Sequence, residues 1–209
     1  MKKRCYIAGA GEFNDKVLPV ENDYIIAADA GYISLTRHGI IPDLIVGDFD
    51  SLKKVPNHPN IIRSPIEKDD TDMMLAVKQG LKLGYKEFVI NGSLGGRLDQ
   101  TLANIHILAY IAEHDAYGLL INRDIFITVI KDSEIKLNKD ISIGKTLSIF
   151  CHSDIAEGVS LTGLKYPLSN ATIKNTYPIG VSNEIVAKEV IISVTKGSLI
   201  ILFESILDA

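Results

Sequence analysis

Five short apolar runs, at residues 5–8, 24–28, 44–46, 88–90 and 119–121, most constrain the fold of this chain. They lack the polar alternation of a strand with one wet face, and several stop at Gly or Asp. Such runs suit strands buried on both faces. Between them lie segments of helical periodicity. Residues 30–38 form one, ended by Gly39. Residues 71–83 form a second, with Met73, Met74, Val77 and Leu81 on one side and Gly84 at the expected stop. The longest is 98–114, with Leu98, Leu102, Ile105 and Ala109 at helical spacing. Strands alternating with helices predict a mostly parallel sheet with helices on both faces.

After Asn122 the pattern changes. Strand-like runs recur at 126–130, 146–150, 159–161, 184–187, 190–194 and 199–203, with turn signals such as Lys196-Gly197-Ser198 between them. No helix is predicted there, and the spacing is that of a small all-β sandwich. The expected organisation is an α/β domain over residues 1–122 and a β-sandwich domain over 123–209. With 46% hydrophobic residues the chain can bury a core, and a net charge of -4 gives no global basic field for nucleic acid. No apolar run reaches the roughly 18 residues of a membrane span. The apolar stretch after the basic first four residues is too short for a signal peptide. Cys5 and Cys151 are far apart and have no metal-ligand spacing. A reducing compartment, and so a cytoplasmic location, is the expectation.

Three segments carry candidate chemistry. Gly47-Asp48-Phe49-Asp50-Ser51 follows a strand, at the sheet edge where open α/β sheets bind ligands. If this segment is extended, Asp48 and Asp50 point the same way, and adjacent carboxylates repel unless a cation joins them. Taken alone, an Asp-rich capping turn explains this string as well. A second acidic cluster, Glu67-Lys68-Asp69-Asp70-Thr71-Asp72, precedes a helix. One of its acids is expected to cap that helix, with Asp72 in the first turn facing the same edge. Oxygen donors without paired His or Cys favour magnesium, with Asp48, Asp50 and Asp72 as ligands. The third segment runs from Asn91 to Gln100 and contains Gly95-Gly96-Arg97, again between a strand and a helix. Glycines let backbone amides approach phosphate, the helix start favours an anion, and Arg97 offers a bidentate fork. Asp99 is placed to hold Arg97, a ribose or a nucleotide amine. Gly9-Ala10-Gly11 lacks the third glycine of a dinucleotide fingerprint, and the five histidines show no ligand spacing.

In this order, the three segments resemble the thiamine pyrophosphokinase family. Ala28-Asp29-Ala30-Gly31 with 39–51 is similar to the family's first block, Asp69-Asp70-Thr71-Asp72 to its second, and Gly95-Gly96-Arg97-Leu98-Asp99-Gln100 to its third. Further on, 163–168 and 180–184 resemble its thiamine-side segments. Ala30 departs from the expected glycine. The resemblance implies a homodimer with a site shared between subunits, and transfer of the pyrophosphoryl group of ATP to thiamine, leaving AMP. It places Asp48, Asp50, Asp72 and Arg97 in catalysis. Asp29, Asp69, Thr71, Gly95, Gly96, Asp99 and Gln100 fall on the ATP side, and Tyr166, Ser182 and Asn183 on the thiamine side. Without it, Tyr166 reads as turn packing and Ser182-Asn183 as a hairpin turn. Two other functions fit the acidic segments: a different magnesium-dependent nucleotide-using transferase or phosphoesterase, and a non-catalytic thiamine or nucleotide sensor.

Overall fold

The structure, a computed structural model, describes residues 4–48, 57–63, 69–138 and 141–204. Its first half holds strands β1 (Cys5–Ala8), β2 (Tyr24–Ala28), β3 (Leu44–Gly47), β4 (Ile61–Arg63), β5 (Glu87–Asn91) and β6 (Tyr117–Ile121). Helix α1 (Gly31–Arg37) follows β2, α2 (Asp72–Lys82) follows β4, and α3 (Leu98–Glu113) follows β5. The second half holds β7 (Ile125–Lys131), β8 (Glu134–Leu137), β9 (Thr146–Cys151), β10 (Ile155–Thr162), β11 (Leu168–Lys174), β12 (Gly180–Glu184), β13 (Val190–Ser193) and β14 (Ser198–Glu204). The alternating α/β half and the all-β second half are both as the patterning predicts.

The halves share one sheet. Ten strands run in the order β12-β9-β14-β7-β6-β5-β1-β2-β3-β4. From β4 through β6 neighbours are parallel, and β7 then pairs antiparallel with β6 across the short turn at Asn122–Asp124. The four remaining strands form a second sheet, β11-β10-β13-β8. The sandwich therefore borrows one of its two sheets from the extension of the α/β sheet.

Side-chain alternation divides the core. Ile7, Ile26, Val46, Phe88, Ile90 and Leu120 pack on one face with α2 and α3 residues such as Met73, Val77, Ile107 and Ile111. Tyr6, Ala8, Ala27, Ile45 and Val89 face the other side, with Leu35 of α1. That second cluster continues through Ile121 and Phe126 to Leu199, Ile201 and Phe203, then across to Val159, Val190 and Ile192 of the small sheet. Strands with both faces covered need no polar alternation, which accounts for the continuous apolar runs.

Several local expectations need correction. The buried residues of α3 are Asn104, Ile107, Leu108, Ala109 and Ile111, and Ile105 packs against the same core, so the expected stripe holds at Ile105 and Ala109 and fails at Leu98 and Leu102, which are 72% and 52% exposed. Helical spacing alone does not say which of two apolar stripes meets the core. The cap of α2 is the Thr71 hydroxyl, which accepts from Met74 N at 3.1 Å, so no acid is needed there. The strand expected at 184–187 lies earlier, at β12, and Ile185 makes only an isolated bridge to Leu164. Strands β4, β8 and β11 carry no clear signal. They are edge strands of which β8 and β11 are largely polar and exposed.

A core that runs across Asn122–Asp124 predicts one cooperative unfolding transition. Ile201→Ala, at a fully buried site, should cost about 2–5 kcal/mol. It should lower the urea midpoints of helix circular dichroism and of tyrosine fluorescence together. Separate midpoints would show that the halves are energetically independent.

Candidate active site

A cleft of about 780 Å³ opens where β1 and β5 lie side by side. The chain leaves β1 towards β2 on one side and returns through β5 on the other, so this is a topological switch point, the favoured ligand position of an open α/β sheet. The loops after the two strands are zipped together. Gly9 N donates to Asn91 O at 2.7 Å, Gly11 N to Gly92 O at 2.6 Å, and Glu12 N to Leu94 O at 2.9 Å. A Cβ on Gly9 would collide with the Gly92 carbonyl oxygen, and one on Gly92, whose φ is +71°, would fall 2.6 Å from that of Gly9. The Gly9-Ala10-Gly11 string is thus a close-packing device for two backbones, a role invisible without its partner loop.

Asn91 anchors this floor from below. It is fully buried, accepts from Asn14 N at 2.8 Å, and donates to Tyr6 Oη at 2.8 Å and Asn14 O at 2.9 Å. Tyr6 Oη in turn donates to Val17 O at 2.8 Å. Neither Asn91 nor Asn14 stands out in the sequence, because a buried amide network has no linear signature.

Most of the predicted ATP-side residues converge here. Asp29, Thr71, Asp72, Gly95, Gly96 and Arg97 line the cleft, and so does Gln100. Asp29 follows β2 with φ +48°, its N–H donating to Val46 O at 2.8 Å. Gly31 lets α1 begin directly over β1, since a Cβ there would collide with the Ala8 carbonyl. Ala30, the departure from the family pattern, simply occupies the N-cap of α1. Asp48 is half-buried at the end of β3, one strand beyond Asp29, and is not among the cleft-lining residues. Asp50 lies outside the described residues. Asp69 is exposed and does not line the cleft. Asp70 grips Lys78 Nζ with both oxygens, at 2.8 and 2.7 Å, which fixes the approach to α2.

Gly95 and Gly96 both have positive φ, +82° and +72°. Arg97 is the N-cap of α3 and makes no capping hydrogen bond with its side chain. Its guanidinium is 73% exposed and forks onto Asp99, with Nε–Oδ1 3.1 Å and Nη2–Oδ2 2.5 Å. Of the partners considered for Asp99, the arginine is the one it holds. The pair lowers the Asp99 pKa, with the Gln100 N–H helping, and raises that of Arg97. Among side chains missed by sequence reasoning, Glu12, Ser93 and Asn104 also line the cleft. Glu12 packs against Gly95, where a Cβ would lie 2.6 Å from its Cγ.

Among the described residues, three acids, Glu12, Asp29 and Asp72, line the cleft with one arginine, Arg97, which Asp99 already engages. Such a cleft repels a polyphosphate unless a divalent cation joins them, and an oxygen-only donor set fits magnesium. Among the described residues, no three His, Cys, Asp or Glu side chains cluster tightly enough to hold a metal by themselves.

The chain matches two family models in sequence. Residues 18–119 match the thiamin pyrophosphokinase catalytic domain, and 132–199 match the thiamin pyrophosphokinase vitamin B1 binding domain. The thiamine pyrophosphokinase of Bacillus subtilis (strain 168) is 31% identical over 188 residues, 87% of each chain. The chain belongs to the thiamin pyrophosphokinase family. Its fold is similar to the crystal structure of the Bacillus subtilis thiamine pyrophosphokinase, with TM-score 0.85 and 29% identity over 98% of this chain and 100% of that one. The thiamin pyrophosphokinase of Geobacillus thermodenitrificans is also similar, with TM-score 0.81 and 25% identity over 98% of each chain.

The expected thiamine-side residues of this family member lie within the vitamin B1 binding match but away from the cleft. Tyr166 is 63% exposed. Asn183 is buried and clamps the backbone of Tyr166: its Oδ1 accepts from Tyr166 N at 3.0 Å and its Nδ2 donates to Tyr166 O at 2.8 Å. Ser182 has φ +55° at an irregularity of β12, and its N–H donates to Ser148 Oγ at 3.0 Å. Asn183 thus positions Tyr166, a role with no signal in a linear hairpin turn.

Arg97→Lys keeps the charge and loses the fork. It should raise the KM for ATP about tenfold, as expected for one charged bidentate contact, with the KM for thiamine unchanged. Steady-state kinetics with each substrate varied would check this. An unaltered KM for ATP would remove Arg97 from the site.

Proposed function

We infer that this chain is a thiamine pyrophosphokinase, transferring the pyrophosphoryl group of ATP to the hydroxyl of thiamine and leaving AMP. The observation that carries this reading is the order of the two family segments on one chain, with the catalytic segment's acids and glycines gathered at the switch-point cleft. The thiamine oxygen forms a bond to the β-phosphorus, and the bridging oxygen to the α-phosphorus departs with AMP.

Asp48, Asp50 and Asp72 are the residues that would hold magnesium: Asp72 lines the cleft with Glu12 and Asp29, Asp48 stands at the end of β3 outside the cleft lining, and Asp50 lies outside the described residues. When bound, magnesium supplies charge neutralisation to the phosphate oxygens. Arg97 grips the polyphosphate by exchanging its Asp99 partner for phosphate oxygens, and the amides about Gly95 and Gly96 add donors. Thr71 uses its hydroxyl as the α2 cap, which fixes the first turn of the helix, where Asp72 sits. Asp29 and Gln100 complete the ATP side at the cleft, while Asp69, exposed and outside the cleft lining, is left without a role there. Asp72 or Asp50 receives the hydroxyl proton if a base takes part.

Tyr166, held by Asn183, offers an aromatic wall for thiamine, and Ser182, next to Asn183 in β12, is the proposed hydroxyl partner. The sheet order bears on where that wall comes from. Strands β9, β14, β7 and β6 separate β12 from β5, which at about 4.8 Å per strand is about 24 Å. A homodimer in which one chain's wall faces the other chain's nucleotide cleft would close that gap. The division into 1–122 for the nucleotide and 123–209 for thiamine follows the same logic, and the family matches break between 119 and 132. Two unpaired, buried thiols, Cys5 and Cys151, suit the cytoplasm. Among the described residues, no helix is long and apolar enough to cross a membrane.

Incubation with ATP, thiamine and magnesium should release AMP and thiamine diphosphate in equal amounts. Asp72→Asn should cut turnover about a hundredfold or more, and chelation of the metal should abolish it. Release of ADP or inorganic phosphate instead would favour another transferase or a phosphoesterase. Tight thiamine binding without turnover would favour a sensor.

A further inference from the structure

Ser93 stands apart from the assigned residues. It lies in the loop between β5 and α3, lines the cleft, and is only 5% exposed. Its Oγ is fully buried and has no hydrogen-bond partner among the described residues. Burying a hydroxyl without a partner is costly, and almost all buried polar groups find one. The neighbouring structure does not relieve that cost. Asn104 Nδ2 donates to the Ser93 carbonyl oxygen at 2.5 Å, which fixes the backbone and leaves the hydroxyl alone.

The surroundings indicate what the hydroxyl serves. Ser93 is flanked by Gly92 at φ +71° and, two residues on, by Gly95 and Gly96, also at positive φ. The loop ends on Arg97 at the N-cap of the 16-residue helix α3. Positive-φ glycines, a helix start and a guanidinium make this the anion-favouring wall of the cleft. We propose that Ser93 is a further binding residue of the nucleotide site, its hydroxyl donating a hydrogen bond to an oxygen of the triphosphate. This rests on the cleft being the ATP site. It adds a neutral donor that the fold has already withdrawn from water, beside a charged one that must first leave Asp99.

Ser93→Ala removes one oxygen and nothing else. In the ligand-free protein the change should leave the melting temperature unchanged or raise it, because no internal hydrogen bond is lost. Calorimetric affinity for magnesium ATP and for magnesium tripolyphosphate should each fall about tenfold, the scale of a hydrogen bond to a charged acceptor. Affinity for adenosine and the KM for thiamine should stay within about twofold. Unchanged ATP and tripolyphosphate binding would overturn the proposal. So would a loss confined to ATP and adenosine, which would assign the hydroxyl to the nucleoside, and so would a lowered melting temperature, which would make Ser93 structural. If the unaltered protein binds neither ATP nor tripolyphosphate, the nucleotide reading of the cleft fails first.

Discussion

Gly9 and Gly92 approach so closely that a side chain on either would strike the other's carbonyl oxygen, and the hydrogen bonds on both sides of the pair hold that approach. The functional geometry depends on this contact. It joins the loop after β1 to the loop after β5 at the point where the sheet order reverses, and the cleft is the space above the joint. Asn91 and Tyr6 fix the contact from beneath through buried hydrogen bonds. Gly31 brings α1 over the same sheet edge, and the Thr71 cap starts α2 with Asp72 facing inward. A rigid backbone floor of this kind lets a few side chains meet a ligand without reorganising.

The charge of the cleft follows from that floor. Glu12, Asp29 and Asp72, beyond β1, beyond β2 and at the start of α2, line the cleft, and among the described lining residues the one guanidinium, that of Arg97, is balanced by Asp99. At rest Arg97 and Asp99 satisfy each other at the surface, where such a pair contributes little net stability and separates readily. An exposed pair of this kind suits the partner exchange proposed for Arg97, and the acids lining the cleft are the reason a cation is proposed beside an anionic substrate.

Much of this was legible in the sequence because it rests on local rules. Continuous apolar runs identify strands covered on both faces, and acids or glycines directly after them identify the ligand edge. The Asp29, Asp72 and Gly95-Gly96-Arg97 positions were found that way or through the family resemblance. What was illegible depends on tertiary partners. Nothing in Gly9-Ala10-Gly11 names Gly92 as its neighbour, and Ser93 and Asn104 are ordinary polar residues until burial is known. The choice between the two apolar stripes of α3 required knowing which face meets β6 and β7. The continuity of the sheet across Asn122 also escaped the patterning, because a change from alternating to all-β segments marks a change of architecture and says nothing of which strands pair.

That continuity leads to the central claim. One sheet carries the cleft near β1 and β5 and the exposed Tyr166 ring beside β12, with four strands between, and the proposed function joins the two by drawing each working site from two chains. Subunit complementation tests this most directly. Asp72→Ala removes the cleft acid, and Tyr166→Ala removes an exposed ring without touching the core. After subunit exchange about half of the dimers are mixed, and each mixed dimer holds one intact site and one with both lesions. The account predicts that two inactive variants recover about a quarter of the normal activity. A mixture that demonstrably exchanges subunits and stays inactive would contradict it.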